Sequence, residues 1–313
     1  MTLEDPGVGL GIVVVNFGSS DLIQENLVEV AEELHGAVVI VVDNFSGEPE
    51  VAAIEHLAAM HGWQLISNPR NAGFGGGVNP GVDRALALGC DDVLVLNPDA
   101  AIDASSVTAL RRAAAEDRMA LVAPVVRTKR GGIWSAGVDV VLADGTMRSW
   151  ARRGEAAATP AEPWLSGACL LLTRELWNAV GPIDERYFLY WEDVDYSVRV
   201  RRAGGRLRVV EEATAVHDEG GTQGVGGSRA KSEAYYYFNI RNRMLFARLL
   251  LDDETVVRWE RSNLRAVRAI LLRGGRRQFL RPIPPLRAAV RGLGDARRVA
   301  RRNAPRHGPE AGG

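Results

Sequence analysis

Three carboxylates, Glu192, Asp193 and Asp195, follow directly on the aromatics Tyr187, Phe188, Tyr190 and Trp191 in RYFLYWEDVDYSVRVRRAGG (186–205). Two chemistries suit that arrangement. Acidic residues in the first turn of a helix are favoured by its dipole, by a few tenths to ~1 kcal/mol each. A carboxylate walled by aromatics is partly desolvated, which makes it a better proton acceptor near neutral pH. One cap needs one carboxylate, and neither three of them nor the aromatic wall is explained by capping. The pattern predicts a helix that starts at these residues and ends at Gly204-Gly205; capping alone and a general base in the first turn stand as its two readings.

Other polar residues fall where strands end. Asn97-Pro98-Asp99 follows VLVL, and one carboxylate beside substrate phosphates is the usual way to hold magnesium. Asp99 is then the ligand and Asn97 positions or solvates; the competing reading is a strand-to-helix turn. His217 lies at a strand end in EEATAVHDEGGT (211–222). It is either structural or a contact to metal or diphosphate, with Asp218 placed to orient the ring. Asn16, Asp43 and Asn44 end two further strands, and NPRNAGFGGG (68–77) follows a third. Each of these is also turn chemistry; four successive polar strand ends make a site, because ligands of open parallel sheets gather at the carboxyl ends of strands.

The elements that must position these groups alternate. Strands are expected at 10–18, 37–44, 63–68 and 92–100, with helices at 22–34, 48–60, about 78–88 and 105–115. A glycine-rich loop at 70–77 is expected before the third helix, its glycines allowing backbone to approach a phosphate or sugar. The alternation implies βαβ units and a parallel sheet covered on both faces. After about 120 come short strands and turns, a loop at 151–163, then a strand and a helix; 232–272 reads as helical, and the last 30 residues, with four prolines, as extended or frayed.

Bulk properties narrow the class. The 313 residues are 46% hydrophobic, enough for a sizeable core. Cys90 and Cys169 sit in apolar company without metal-ligand spacing, which points to a reducing compartment. No signal-peptide pattern and no apolar run of spanning length are present, so a cytoplasmic location is expected. The net charge of -1 hides an asymmetry: residues 241–313 hold 18 Arg against 6 Asp and Glu, and the rest hold 20 basic against 33 acidic residues. A basic segment of this kind seeks phosphate, on nucleic acid, anionic lipid or substrate. Without aromatic interleaving, nucleic acid is not expected. GVGLG (7–11) precedes the first strand, where a dinucleotide fingerprint would follow it, and no P-loop exists.

VVVNFGS (13–19), VVDNFS (41–46), NPRNAGFGGGVNPGV (68–82), VLVLNPDA (93–100), LSGACLLLTRELWNAVGPIDERYFLYWEDVDYSVRVRRAGG (165–205), AVHDEGGT (215–222) and YYYFNIRNR (235–243) together resemble, in order, the inverting family 2 glycosyltransferases of the GT-A fold, in particular rhamnosyltransferase-like members. The resemblance covers roughly residues 10–245. It implies a three-layer α/β/α domain at 1–240 with a mostly parallel central sheet, and a basic helical extension at 241–313 with a frayed tail.

The same resemblance assigns roles. Val15 and Asn16 would embrace the nucleotide, and Asp43 would read the imide N–H of uracil or thymine. Arg70, Asn71 and Gly73 would lie beside ribose and diphosphate. Asp99 matches the last carboxylate of an Asp-x-Asp metal motif whose first position is here Asn97, one carboxylate fewer for a magnesium or manganese ion. Ser166 and Gly167 would line the donor sugar and acceptor, with Trp191 in the pocket wall. Glu192-Asp193 matches the base motif, with the base on Asp193. His217 would touch metal or diphosphate, and Arg241 with Asn242 the pyrophosphate.

The implied reaction is inverting transfer from a nucleotide-diphospho-sugar, TDP-rhamnose first and a UDP-hexose next, to a hydroxyl of a saccharide or lipid-linked saccharide in cell-envelope polysaccharide synthesis. The implied setting is the inner membrane face, with the Arg-rich end on anionic lipid; an oligomer is possible on the helical end. Two alternatives stand beside it. A sugar nucleotidyltransferase would need a basic loop after the first strand, where this chain has NFGSSD. A non-catalytic, membrane-associated nucleotide-sugar-binding module would have lost its carboxylates.

Overall fold

The computed structural model describes residues 7–155, 159–217, 231–275 and 282–301. Strands β1 (Leu10–Asn16), β2 (Val38–Asp43), β3 (Gln64–Ser67) and β4 (Asp92–Leu96) alternate with helices α1 (Ser20–Glu33), α2 (Glu48–His61) and α3 (Gly73–Ala87). Then follow β5 (Ala100–Ile102), α4 (Ala104–Glu116), β6 (Ala120–Thr128) and β7 (Ile133–Ser135). β8 (Val138–Val141), β9 (Met147–Ser149) and β10 (Ala161–Trp164) form a separate antiparallel sheet in the order β10-β8-β9. β11 (Cys169–Thr173), α5 (Arg174–Val180), α6 (Glu192–Arg202) and β12 (Arg206–His217) return to the main sheet. α7 (Glu233–Leu250), α8 (Asp253–Arg261), α9 (Asn263–Leu272) and α10 (Ile283–Arg301) complete the described residues.

β1 explains the layering. Its β-branched run is buried on both faces, as a strand inside a helix-covered sheet must be. Leu10, Ile12 and Val14 pack with Ile23 and Leu27 of α1, Ile54 of α2 and Leu110 of α4. Val13 points the other way, to Val78 and Val82 of α3 and Tyr196 and Val200 of α6. A third cluster joins Tyr187, Trp191 and Val194 to Met244 and Phe246 of α7 and Trp259 of α8.

The strand order is β3-β2-β1-β4-β11-β6-β12-β5, with β7 on the side of β6. The β3-β2-β1-β4 part is parallel, as the βαβ pattern requires. β11 then runs antiparallel between β4 and β6, and β6 pairs parallel with β12, so the sheet is mixed, with most of its paired residues in parallel register.

Three local expectations are corrected. The glycines of 73–77 lie in α3 rather than in a loop before it. They bring the helix onto the sheet: a Cβ on Gly77 would stand 2.5 Å from Val15, and one on Gly81 2.4 Å from Val13. The 151–163 segment, read as a loop, holds a 3-10 turn (Trp150–Glu155) and β10. Residues 283–301 are a 19-residue helix, not extended chain. Its prolines fall in the first turn, where no N–H partner is lost, and Gly292 sits against Tyr237 and Ile240 of α7. The boundary expected at 240/241 falls inside α7.

Candidate functional site

The ends of β1 and β2 are cross-linked by the residues the sequence singles out. Asn16 Nδ2 donates to Asp43 Oδ1 at 3.0 Å, and the N–H of Ser46 donates to Asp43 Oδ2 at 3.1 Å. Both side chains are buried. Asn44 Nδ2 donates to Gly73 O (2.9 Å) and Asn71 Oδ1 (3.2 Å), while Asn44 Oδ1 accepts from Ala72 N (3.0 Å). The 68–73 turn is thereby fastened to the end of β2, with Arg70 exposed beside it. Val15 is half-buried against α3.

The structure adds two aromatics that the sequence reading passed over. Phe17 and Phe45 are 57% and 58% exposed at neighbouring strand ends, and Phe45 has a left-handed φ of 69°. The repeated Asn-Phe in VVNF and VDNF was the available signal. Large exposed aromatics beside a buried carboxylate form a platform on which a flat ring can stack.

At the other side of β1, β12 pairs with β5 so that His217 lies opposite Ala100. That register brings His217 Nε2 to 3.2 Å from Asp99 Oδ1, both nearly buried. Trp134 of β7 packs its ring 4.5 Å from the imidazole. Asn97 Oδ1 and His217 Nδ1 are buried without a hydrogen-bond partner among the described residues. A carboxylate, an imidazole and an unpartnered amide oxygen are a donor set that a hard divalent cation accepts. Among the described residues no group of three His, Cys, Asp or Glu side chains is placed to hold a metal ion. Asp218 lies outside the described residues.

The three carboxylates of α6 have separate surroundings. Asp195 is fully buried, accepting from Tyr187 Oη at 3.0 Å and from Arg199 Nε at 2.7 Å. Its role is structural. Glu192 is buried with Oε2 unpartnered, and its pKa is driven well above the ordinary range by burial first and by the Asp193 charge next. Asp193 is half-buried; its Oδ2 accepts from Gly167 N at 3.1 Å and its Oδ1 from Val194 N at 2.8 Å. Burial outweighs those bonds and pushes its carboxyl up to about 6. No side chain caps α6: its N-cap is Trp191, with a left-handed φ of 75°.

One short stretch ties the two halves together. Gly167 N holds Asp193, and the next residue, Ala168, accepts from Asn97 N at 3.0 Å. Ser166 Oγ accepts from Ala168 N at 3.3 Å and steadies the turn.

Two expected site residues also have structural partners. Trp191 is 5% exposed, its ring 5.4 Å from Phe246 and 6.2 Å from Trp259. It anchors α6 to the C-terminal helices, as a large aromatic beside apolar helices is drawn into the core. Arg241 Nη1 donates to Arg186 O at 2.9 Å and to Asn242 Oδ1 at 2.6 Å, so it is engaged with the loop before α6.

Comparison with known proteins follows the same residues. The family model described as "Glycosyl transferase family group 2" matches residues 93–274. An N-acetylglucosaminyl-diphospho-decaprenol L-rhamnosyltransferase of Mycobacterium tuberculosis is 31% identical over 212 residues, covering 59% of this chain and 68% of that protein. The structure of GalNAc-T7 with UDP, GalNAc and Mn2+ superposes with a TM-score of 0.59 at 14% identity, covering 77% of this chain but only 47% of that one. The mannosyltransferase PcManGT of Pyrobaculum calidifontis, with GDP-Man and Mn2+, superposes at 0.55 and 15% identity over 94% of this chain and 87% of that one. At these identities the two structures bear on the fold alone.

Proposed function

The chain belongs to glycosyl transferase family group 2 and has the GT-A glycosyltransferase fold, and from that premise we propose that it transfers a sugar, with inversion, from a nucleoside-diphosphate donor to a hydroxyl of a lipid-linked saccharide. The observation that carries the proposal is the Gly167–Ala168 stretch, which fastens Asp193 on one side and the Asn97–Asp99 turn on the other. A base for the acceptor and a seat for the leaving group are held by adjacent residues.

In this reading the Phe17 and Phe45 rings and Asp43 receive the nucleobase, and the Asn71–Gly73 turn lies along ribose and diphosphate. Asp99, His217 and the amide oxygen of Asn97 would hold a Mg2+ or Mn2+ ion. When bound, that ion supplies neutralising charge for the departing diphosphate. Asp193 takes the proton of the attacking hydroxyl, which adds to the anomeric carbon on the face opposite the diphosphate. Ser166 and Gly167 bound the space between. TDP-rhamnose is the favoured donor, supported by the rhamnosyltransferase relative, and a UDP-hexose follows. The decaprenol in that relative's name supports a polyprenyl-diphosphate acceptor at the membrane surface, consistent with cell-envelope polysaccharide synthesis.

The test is a thermal-shift panel of UDP, TDP, GDP and CMP, each with and without Mg2+ or Mn2+, on wild type and Asp99→Ala. A ligand that binds the folded state raises Tm by mass action. A metal-dependent rise with TDP or UDP that Asp99→Ala abolishes is expected. Absence of any rise with every nucleotide and metal removes the donor site, and with it the proposal.

A further inference from the structure

The segment Tyr187–Trp191, which delivers the chain into α6, is held in an unusual conformation. Phe188, Tyr190 and Trp191 have φ of 64°, 65° and 75°. Bulky L-residues avoid that region and persist there only where their surroundings over-determine it. What over-determines it here is specific. The Asn242 side chain is fully buried, and its Nδ2 donates to the carbonyls of Tyr187 (2.8 Å), Leu189 (2.9 Å) and Tyr190 (2.8 Å). The Asn242 oxygen is engaged by Arg241 Nη1, which also holds Arg186 O. That engagement fixes which way the amide faces, so its N–H groups point at the loop.

Of the loop's two other carbonyls, that of Trp191 accepts from Asp195 N at 2.9 Å and that of Phe188 from Phe74 N at 2.7 Å. Gly73 permits the contact, since a Cβ there would stand 2.2 Å from Phe188 O. Gly73 O in turn accepts from Asn44 at the end of β2. The loop is thus gripped from α7 on one side and from the 71–74 turn on the other. Two residues beyond it comes Asp193, whose contact with Gly167 depends on how α6 begins.

We infer that Asn242, braced by Arg241, is a positioning residue that holds the left-handed Tyr187–Trp191 segment and through it sets Asp193 against Gly167. The inference deepens the transferase reading and rests on Asp193 being its base. It gives Arg241 and Asn242 a different task from contact with the donor's diphosphate. Neither touches the reacting atoms; both act through the loop.

The experiment compares wild type, Asn242→Leu and Arg241→Gln. Asn242→Leu keeps side-chain size but removes the amide donors; Arg241→Gln removes only the brace. Hydrogen exchange is followed across the chain without substrate. Transfer is assayed with TDP-rhamnose and UDP-glucose as donors, and TDP and UDP affinities are measured separately. A displacement of a catalytic group by about 1 Å costs on the order of 10²-fold in rate. Asn242→Leu is therefore expected to lower kcat by roughly that factor, with donor KM and nucleotide Kd within about twofold of wild type. Exchange should quicken in 187–195 while β1, β2 and β4 stay protected. Arg241→Gln should show the same pattern, weaker.

Unchanged exchange in 187–195 in both variants overturns the inference, as does a kcat equal to wild type. A loss of nucleotide affinity matching the loss of kcat would return the pair to the donor site and also overturn it. If Asn242→Leu fails to fold, Arg241→Gln alone decides by the same criteria. If wild type transfers no sugar from either donor, the transferase reading is what fails, and hydrogen exchange still decides whether the pair holds the loop.

Discussion

Asp193, Glu192 and Asp195 share one helical turn, yet their oxygens meet different partners, and their predicted behaviour differs accordingly. Asp195 is saturated by Tyr187 and Arg199. Asp193 has backbone N–H partners only, and burial lifts its carboxyl to about 6. A base must be deprotonated, so turnover should rise with pH through about 6 and level above it. Asp193→Asn should lower kcat by roughly 10²–10⁴-fold and abolish that limb in a pH–rate profile. A limb that survives the substitution assigns it to another group. The same lifted value has a sign for stability. A carboxyl whose pKa is raised on folding binds more protons folded than unfolded between its ordinary 3.8 and about 6. Its contribution to stability therefore declines as pH rises across that window and stays low above it. Asp193→Asn removes the effect, so the variant's Tm relative to wild type should become more positive between pH 4 and pH 7. A Tm difference that is flat with pH, read by calorimetry, rules this out. The sequence could nominate all three carboxylates, because acid after aromatics is a visible pattern. The family resemblance put the base on Asp193; the residue pattern alone could not rank them, because ranking depends on Gly167, Tyr187 and Arg199, which approach from different distances along the chain.

The elements that carry these residues were legible where the signal is local. β1, β2 and β4 are apolar runs ended by Asn or Asp, and the intervening α1, α2 and α4 have helical periodicity; all appear close to where the pattern puts them. α3 was read differently because GFGGG offers one side chain, Phe74, too few from which to infer periodicity. Gly77 and Gly81 report on the surface opposite, Val15 and Val13 of β1. Gly77→Ala tests this directly: the new methyl would stand 2.5 Å from Val15 Cγ1. Overpacking of this kind costs about 1–3 kcal/mol, so a lowered midpoint in denaturant with an unchanged slope is expected. A variant as stable as wild type shows that the helix has room to move. β11 was legible as a strand but not as an antiparallel one, since CLLLT reads alike in either direction when both faces are buried. α10 was hidden by its prolines, which break helices in the interior and suit them in the first turn. What reveals it is the close seat of Gly292 on α7, a contact between residues about fifty positions apart.

At the scale of the whole molecule, the sequence shows how much charge separates the two ends but not which surface bears it. The structure places exposed Val257, Leu264 and Leu272 along α8 and α9, among exposed Arg258, Arg261, Arg265 and Arg268. Arg258 is paired with Glu254, whereas Arg261, Arg265 and Arg268 have no ion-pair partner among the described residues. Further along, Ile283, Leu286 and Val290 are exposed on the first half of α10. No helix among the described residues is long and apolar enough to cross a membrane. Arginines interleaved with single apolar side chains suit the boundary of an anionic bilayer, where each basic group contributes about 1 kcal/mol. A transferase with a polyprenyl-diphosphate acceptor needs its site at that boundary, so the proposed chemistry and this surface call for the same location. The protein should therefore sediment with phosphatidylglycerol vesicles, much less with phosphatidylcholine, and be released by salt as the Debye length falls to roughly 3 Å at 1 M. Replacing Arg261, Arg265 and Arg268 together by Glu should weaken vesicle binding by more than about 10²-fold while leaving the affinity for a free nucleotide unchanged, because all three are exposed on α8 and α9, which pack on α7 and α10. Equal binding to both lipids would assign the attraction to the apolar side chains alone. No binding to either would leave the basic charge without a membrane role and require an acceptor that reaches the site from solution.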